Sequence, residues 1–395
     1  MCISLIQLLI SLFIPKGADP KDPAVRGRYG ALAGTVGVLL NLLLFFLKVI
    51  SGLIMGSIAV IADAINNLSD AAASVVTLIG FRLAGQEADE DHPFGHGRIE
   101  YLTGLVVAVA ILLMGLEIGK SSIEKILNPE ALTFSWVAVG ILGASVGVKV
   151  WLFFFNRKLG GIIESAAMEA TAADSLSDAL STGVVMLATL VGHVWGLQID
   201  GFAGLLVAAF ILKTGIEAAR ETIDPLLGRA MDPELAREID RLALEHPHIL
   251  GIHDLIYHDY GPGRAMMSFH AEVPADSDIL DVHDMIDHIE REMKEKYGID
   301  TVIHMDPMVN DQRTVQLREQ VAALAREIDP EITIHDFRMT AGTRHTKLIF
   351  DMVIPHGRKK REVEIRKEME DRVKQLSEQY FPVIEVEYSY VDGKP

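Results

Sequence analysis

The sequence predicts a six-helix membrane domain followed by two small α+β domains in tandem, and three observations predict it. Half of the 395 residues are hydrophobic, yet the net charge is −18, so an apolar part is joined to a charged, soluble one. Six apolar stretches before residue 223 each approach the roughly 20 residues a helix needs to cross the hydrocarbon core. Beyond them the chain repeats itself at an offset of about 81 residues.

Residues 1–25 form an N-terminal segment. Met1 to Ile14 are apolar and stop at Pro15-Lys16. They lack the basic start and small-residue cleavage site of a signal peptide and are too short to span, so a helix lying in the interface is expected. Cys2 is the single cysteine, which excludes an internal disulfide and a cysteine-built metal site.

Residues 26–228 carry the six spans, around Ala31–Ile54, Ser57–Leu83, Tyr101–Ile118, Leu132–Phe155, Ala166–Val191 and Ile199–Ala218. The division from the soluble part falls near Ile223 to Met231. Lys16, Lys21, Arg26 and Arg28 precede the first span; Arg82 and Arg98 flank the second loop; Arg157 and Lys158 lie in the fourth; Arg220 and Arg229 follow the last. Lys120 and Lys125 are the main exceptions in the odd-numbered loops. The positive-inside rule then places both termini in the cytoplasm.

Two of these spans contain polar pairs: Asn66 and Asp70 in the second, Asp174 and Asp178 in the fifth. Spacing of i, i+4 puts each pair on one helix face. A lone Asn or Asp at membrane depth is ordinarily explained by a hydrogen bond to a neighbouring helix. Two such pairs are another matter, because a carboxylate there is costly unless it faces the interior and finds a partner. Four converging oxygen ligand groups suffice for a hard divalent cation. At 1.5 Å per residue both pairs reach one mid-membrane level, where carriers place substrates for access from either side.

Between the second and third spans, Asp89, His92 and His96 lie in an acidic, histidine-rich loop expected at the cytoplasmic surface. Either a polar turn held by glycines or metal capture accounts for it.

Residues 229–311 and 312–395 are the two copies of the repeat. Ile252-His253-Asp254 recurs as Ile334-His335-Asp336, Gly263-Arg264 as Gly342-Thr-Arg344, and Phe269-x-x-x-Val273-Pro274 as Phe350-x-x-x-Ile354-Pro355. The first copy reads as helix Pro233–Glu245, strands Ile252–His258 and Ala265–Val273, helix Ile279–Tyr297 and strand Thr301–His304. It holds His253, His270, His283, His304 and Asp306, with three of the histidines on separate strands and able to converge on a borderline metal. In the second copy Asp351 stands at the position of His270, while Glu387 and Ser389 stand approximately at those of His304 and Asp306. That copy is expected to be ligand-poor.

The six-helix plan, the two ligand pairs, the loop His92-Pro-Phe-Gly-His96-Gly97-Arg98 and the run from His253 to Pro307 together resemble the cation diffusion facilitator family. The resemblance covers about Arg26 to Pro307. It implies a homodimer in the lipid bilayer of the cell membrane that exchanges a cytoplasmic divalent metal for protons, with a ferredoxin-like cytoplasmic domain that binds metal and helps dimerisation. By position it implies a transport site of Asn66, Asp70, Asp174 and Asp178, a loop site of Asp89, His92 and His96, and a cytoplasmic site drawing on His253, His270, His283, His304 and Asp306.

Zinc-transporting members typically carry a histidine in the transport site, where this chain has Asn66 and Asp174. An all-oxygen site suits Mn2+, so the pattern resembles the manganese-exporting branch, with Fe2+, Zn2+ and Co2+ as the alternatives. The second departure is the extra domain, whose role would be packing, dimerisation or regulation. No prosthetic group, nucleic-acid partner or enzymatic activity is expected. The sequence contains neither the H-E-x-x-H helix nor the Gly-x-Gly-Asp segment of an intramembrane protease. A metal sensor that transports nothing would not need four converging membrane oxygens.

Overall fold

A computed structural model describes residues 2–15, 17, 19–20, 22–55, 58–128, 135–195, 199–309, 311–341, 345–355 and 362–388. Lys16, Lys21, Ser57, Leu132, Gly342, Arg344 and Ser389 lie outside these, as does the side chain of Cys2. The chain forms two compact units, residues 1–229 with 259–264, and residues 230–258 with 265–395.

In the first unit, six helices among the described residues are long and apolar enough to cross a membrane. They are α2 (Pro23–Met55), α3 (Ile58–Ala84), α4 (Ile99–Leu127), α5 (Trp136–Ile163), α6 (Ala166–Trp195) and α7 (Asp200–Leu227), preceded by α1 (Cys2–Phe13). Each helix ends beyond its expected span, and α2 and α4 also begin before theirs, because an apolar run marks only the part in hydrocarbon, while backbone hydrogen bonding continues into the polar margin. Arg26, counted above as a charge ahead of the first span, is therefore inside α2. It is buried and bonds Glu100 of α4 at 2.9 Å.

The bundle is turned outward compared with a soluble protein. Leu39, Leu43, Phe46, Leu47 and Ile50 of α2 are exposed, whereas Asn41, Lys48, Asn67, Asp70, Lys149 and Asp178 are buried. That is the distribution lipid demands, with apolar side chains outside and polar ones facing protein. Close approach of α2 to α3 depends on Gly34, where an added Cβ would come within 2.7 Å of the Leu78 Cβ and 3.0 Å of its Cα. Backbone that close cannot move aside, so only glycine fits. On α1, Ile6 is buried in a cluster with Tyr29, Leu152 and Phe155, while Leu5, Leu8, Leu12 and Phe13 are exposed. One face of α1 thus packs on the bundle, and the other, with Leu5, Leu8, Leu12 and Phe13 beside Gln7 and Ser11, is left exposed.

The second unit contains the order helix, strand, strand, helix, strand twice. The first set is α8 (Pro233–Leu244), β1 (Gly251–Asp259), β2 (Ala265–Pro274), α9 (Ile279–Tyr297) and β3 (Ile299–Met308). The second is α10 (Gln312–Ile328), β4 (Thr333–Ala341), β5 (Thr346–Ile354), α11 (Glu362–Leu376) and β6 (Tyr380–Tyr388). Asp232, Asp278 and Asp311 cap α8, α9 and α10 by accepting from backbone N–H groups of the first turn. Each set makes a three-stranded sheet, ordered β1-β2-β3 and β4-β5-β6. Strand β5 runs antiparallel to β4, and each last strand is parallel to the one before it. Helix faces cover the sheets with Phe269, Ile289 and Met293 in one core and Phe337, Phe350 and Met369 in the other.

Strand register corrects one alignment. His270 pairs with His304 and Glu272 with Asp306, while Asp351 pairs with Glu385 and Val353 with Glu387. Glu385 therefore stands at the position of His304 and Glu387 at that of Asp306, two residues from the sequence estimate. Sequence alone left the last strand of the second copy without an anchor, because neither ligand residue of the first copy is preserved there.

Candidate metal centres

Helices α3, α5 and α6 meet at a buried charged cluster near their midpoints. Asp70 and Asp178 each lie about 18 Å from the start of their helix, and Lys149 about 20 Å from the start of α5, at 1.5 Å per residue. The carboxylates of Asp70, Asp174 and Asp178 each offer an oxygen within 4.8 Å of the others. Lys149 Nζ donates to Asp70 Oδ2 at 2.6 Å and to Asp178 Oδ2 at 2.5 Å. Asp178 Oδ1 is buried without a hydrogen-bond partner among the described residues, a free lone pair inside the cluster. Asn66 lies one turn before Asp70 on α3 and is exposed. Its neighbour Asn67 is buried and accepts from Lys48 Nζ at 3.0 Å.

Lys149 was missed in the sequence. The signal was present, since a lone lysine within Val-Gly-Val-Lys149-Val-Trp, at mid-span, is a functional candidate by default. Three carboxylates facing one ammonium leave two negative charges to balance. A divalent cation can supply that balance, and so can two protons.

The loop residues also come together. Asp89 Oδ1 accepts from the backbone N–H of His92 at 2.6 Å, and His96 Nε2 lies 3.5 Å from Asp89 Oδ2. The His92 N–H, reinforced by the two imidazoles, holds the Asp89 carboxyl below the usual carboxylate range. Turn residues 259–264 of the same unit brace this loop. Arg98 donates to the Asp259 carbonyl at 2.6 and 3.0 Å, and Phe94 stacks on Tyr260 at 4.4 Å.

In the second unit His253, His270 and Asp306 converge. Asp306 Oδ2 lies 2.8 Å from His270 Nδ1 and 3.3 Å from His253 Nε2, and Asp306 Oδ1 lies 3.5 Å from His304 Nε2. Burial works against the charged form of His253, but the hydrogen bond and charge of Asp254, with the charge of Asp306, raise its pKa on balance. His283 does not join this cluster within one chain; it lies on the exposed side of α9.

The second copy is richer in ligands than its sequence suggested. His335 of β4 stacks on His253 with ring centroids 4.3 Å apart and lies 3.4 Å from Asp254 and 3.7 Å from Glu387. Burial pushes His335 down to about 4. Asp351 is pushed up to about 6 by burial and by the charges of Asp336 and Asp254. Glu387 is raised by burial and by Asp254, with which it shares a hydrogen bond, and Asp254 is lowered, despite burial, by its bonds to His253 and Glu387. Asp254 escaped notice because it belongs to the first copy but faces the second.

The family model for the cation efflux transmembrane domain matches residues 34–227, and that for the cation efflux protein cytoplasmic domain matches residues 231–308. An uncharacterised transporter of Methanocaldococcus jannaschii is 31% identical over 267 residues, covering 67% of this chain and 94% of that protein. The manganese efflux system protein MneS of Bacillus subtilis is 30% identical over 293 residues, 73% of this chain and 98% of its own length. A cation-efflux pump, FieF, of Yersinia enterocolitica is 27% identical over 287 residues, 72% and 95% of the two chains. Matched from the first membrane helix to the end of the first sheet, the chain belongs to the cation efflux family, the cation diffusion facilitators, and is a multi-pass membrane protein that moves divalent metal ions.

Proposed function

We propose that this divalent-metal efflux protein exports Mn2+ from the cytoplasm in exchange for protons, as a homodimer in the cell membrane with both termini cytoplasmic. The observation that carries the metal is the donor set. Asp70, Asp174 and Asp178 present oxygen alone, and Asn66, one turn away, would add another oxygen. Carboxylate and carbonyl oxygens suit Mn2+, whereas Zn2+ would gain from an imidazole nitrogen that this site lacks. The relative in Bacillus subtilis named as a manganese efflux protein agrees with this choice.

Proton exchange follows from the charge count. With Lys149 ionised, the three carboxylates leave a net charge of −2 in a buried site, and uncompensated charge there is costly. Metal entry supplies two positive charges and metal departure must be answered by two protons. Metal and protons therefore compete for the same oxygens, and no separate proton path is needed.

The test is flux in proteoliposomes with Mn2+, Fe2+, Zn2+ and Co2+ run in parallel and a pH dye trapped inside. Mn2+ moves fastest and drives a proton signal that Asp178→Asn abolishes together with transport. A faster Zn2+ flux would overturn the metal assignment; Mn2+ flux without a proton signal would overturn the exchange.

A further inference from the structure

The two α+β domains face each other through residues that correspond in the repeat. Ile252-His253-Asp254 and Ile334-His335-Asp336 occupy the same place in β1 and β4, and both aspartates take left-handed backbone, φ 51° and 49°. Non-glycine residues mostly avoid that region, and of the three described ones that adopt it, Glu164, Asp254 and Asp336, the last two take equivalent places in the two copies. From this junction the strands present two ligand sets. In one, His253, His270 and Asp306 each offer an atom within 4.8 Å of the others; in the other, Asp254, Asp351 and Glu387 do the same. The register makes these sets counterparts, Asp351 for His270 and Glu387 for Asp306.

His335 completes the second set. Its Nε2 is 3.4 Å from Asp254 Oδ1 and 3.7 Å from Glu387 Oε2. Ligands that are neighbours on an octahedral cation stand about 3 Å apart when the bonds are about 2.1 Å, so these atoms are within a small adjustment of a coordination shell. Both ring nitrogens of His335 are buried without a hydrogen-bond partner among the described residues, and so is Nε2 of His253, whose side chain is only 7% exposed. Buried polar groups are nearly always satisfied, and a group of orphans beside three carboxylates is what a cation would satisfy.

We propose that Asp254, His335, Asp351 and Glu387 form a second cation site, shared between the two domains of one chain and selective for a hard divalent ion such as Mn2+. One imidazole and three carboxylates are harder than the set beside it, which has two imidazoles and one carboxylate. The two sets therefore divide the metals by softness. The carboxylate-rich one matches the donors of the membrane cluster, so it reports the transported ion. Because β1 supplies one ligand and β4, β5 and β6 supply three, occupancy ties the second domain to the first.

The experiment uses the full chain in detergent, with Asp70→Asn and Asp178→Asn silencing the membrane cluster. Mn2+ is titrated while free ion is followed by electron paramagnetic resonance, and hydrogen–deuterium exchange is read on β4 and β6. One Mn2+ site is lost in Asp351→Asn/Glu387→Gln and retained in His253→Ala/His270→Ala, and Mn2+ slows exchange of β4 and β6 about tenfold or more in the chain that keeps the site. Glu387→Asp, one methylene shorter, weakens binding without removing it, and exchange of Leu348 to Met352 no faster in the metal-free variants than in the metal-free parent shows that the core remains folded. Mn2+ stoichiometry unaltered by Asp351→Asn/Glu387→Gln, or exchange of β4 and β6 indifferent to Mn2+, would reduce the junction to packing and overturn the site.

Discussion

Replacing Lys149 by methionine tests whether its ammonium is a built-in stand-in for the transported cation. Methionine keeps the length and much of the volume of the apolar stem, so packing among α3, α5 and α6 is little disturbed. What is lost is two charge-assisted hydrogen bonds, at 2.6 and 2.5 Å, to side chains 10% and 3% exposed. Each such bond contributes about 1.5–3 kcal/mol, so an incoming ion that displaces the ammonium gives up at least about 3 kcal/mol in the parent. In Lys149→Met a proton partly takes the ammonium's place, and we assign about half of that, roughly 1.5 kcal/mol, as the net gain in metal binding. Mn2+ should bind about tenfold more tightly at pH 8, and the advantage should shrink as acid supplies the competing proton. Calorimetric titration of the detergent-purified protein reads this directly, the relevant phase being the one missing in Asp178→Asn. Saturated flux should fall, because a tighter site releases its ion more slowly. An unchanged or weaker affinity would refute the displacement, leaving Lys149 as a fixed counter-charge that helps to shape the site.

Two further outcomes follow from individual side chains. Asn66→His introduces a borderline nitrogen one turn from Asp70, and the Zn2+/Mn2+ flux ratio in vesicles should rise about tenfold; an unchanged ratio would mean that this position does not set selectivity. Asp351 has a pKa of about 6 against an ordinary 3.8, so its contribution to stability is fully present below about pH 4 and is lost as pH rises through about 6. About two units would amount to roughly 3 kcal/mol, but half-exposure to solvent reduces this to about 1 kcal/mol. In metal-free buffer Asp351→Asn should therefore slow exchange of β5 amides about fivefold at pH 8 and leave it unchanged below about pH 4, whereas an equal effect at both values would show a packing change instead.

Helices and strands were legible in the sequence because each obeys a local rule. Apolar length marked all six spans, and the repeat placed both sheets. The expected start of α9 at Ile279 and its end at Tyr297 are the observed ones, since Asp278 caps one end and Gly298 closes the other in left-handed conformation. Helix ends in the membrane domain were less legible, because no apolar contrast marks where a helix leaves hydrocarbon but continues in water. Arg26 shows the consequence, a charge that signals topology when counted along the chain yet is buried against Glu100 once α2 meets α4.

The ligand sites divide along the same line. Asp70, Asp174 and Asp178 were visible because periodicity places i, i+4 pairs on a face and cost makes membrane carboxylates conspicuous. Lys149 satisfies the second criterion but has no partner on its own helix, so spacing alone gave no reason to aim it at Asp70 and Asp178. Asp254, His335, Asp351 and Glu387 satisfy neither criterion, being polar residues on solvent-compatible strands. Their common site exists only because duplicated strands meet and set unlike residues opposite each other. A repeat that loses the ligands of its first copy has not thereby lost ligation, because its substitutes act on the partner copy's residues, and Asp254, carried by β1 but facing β4 and β6, is where that exchange takes place.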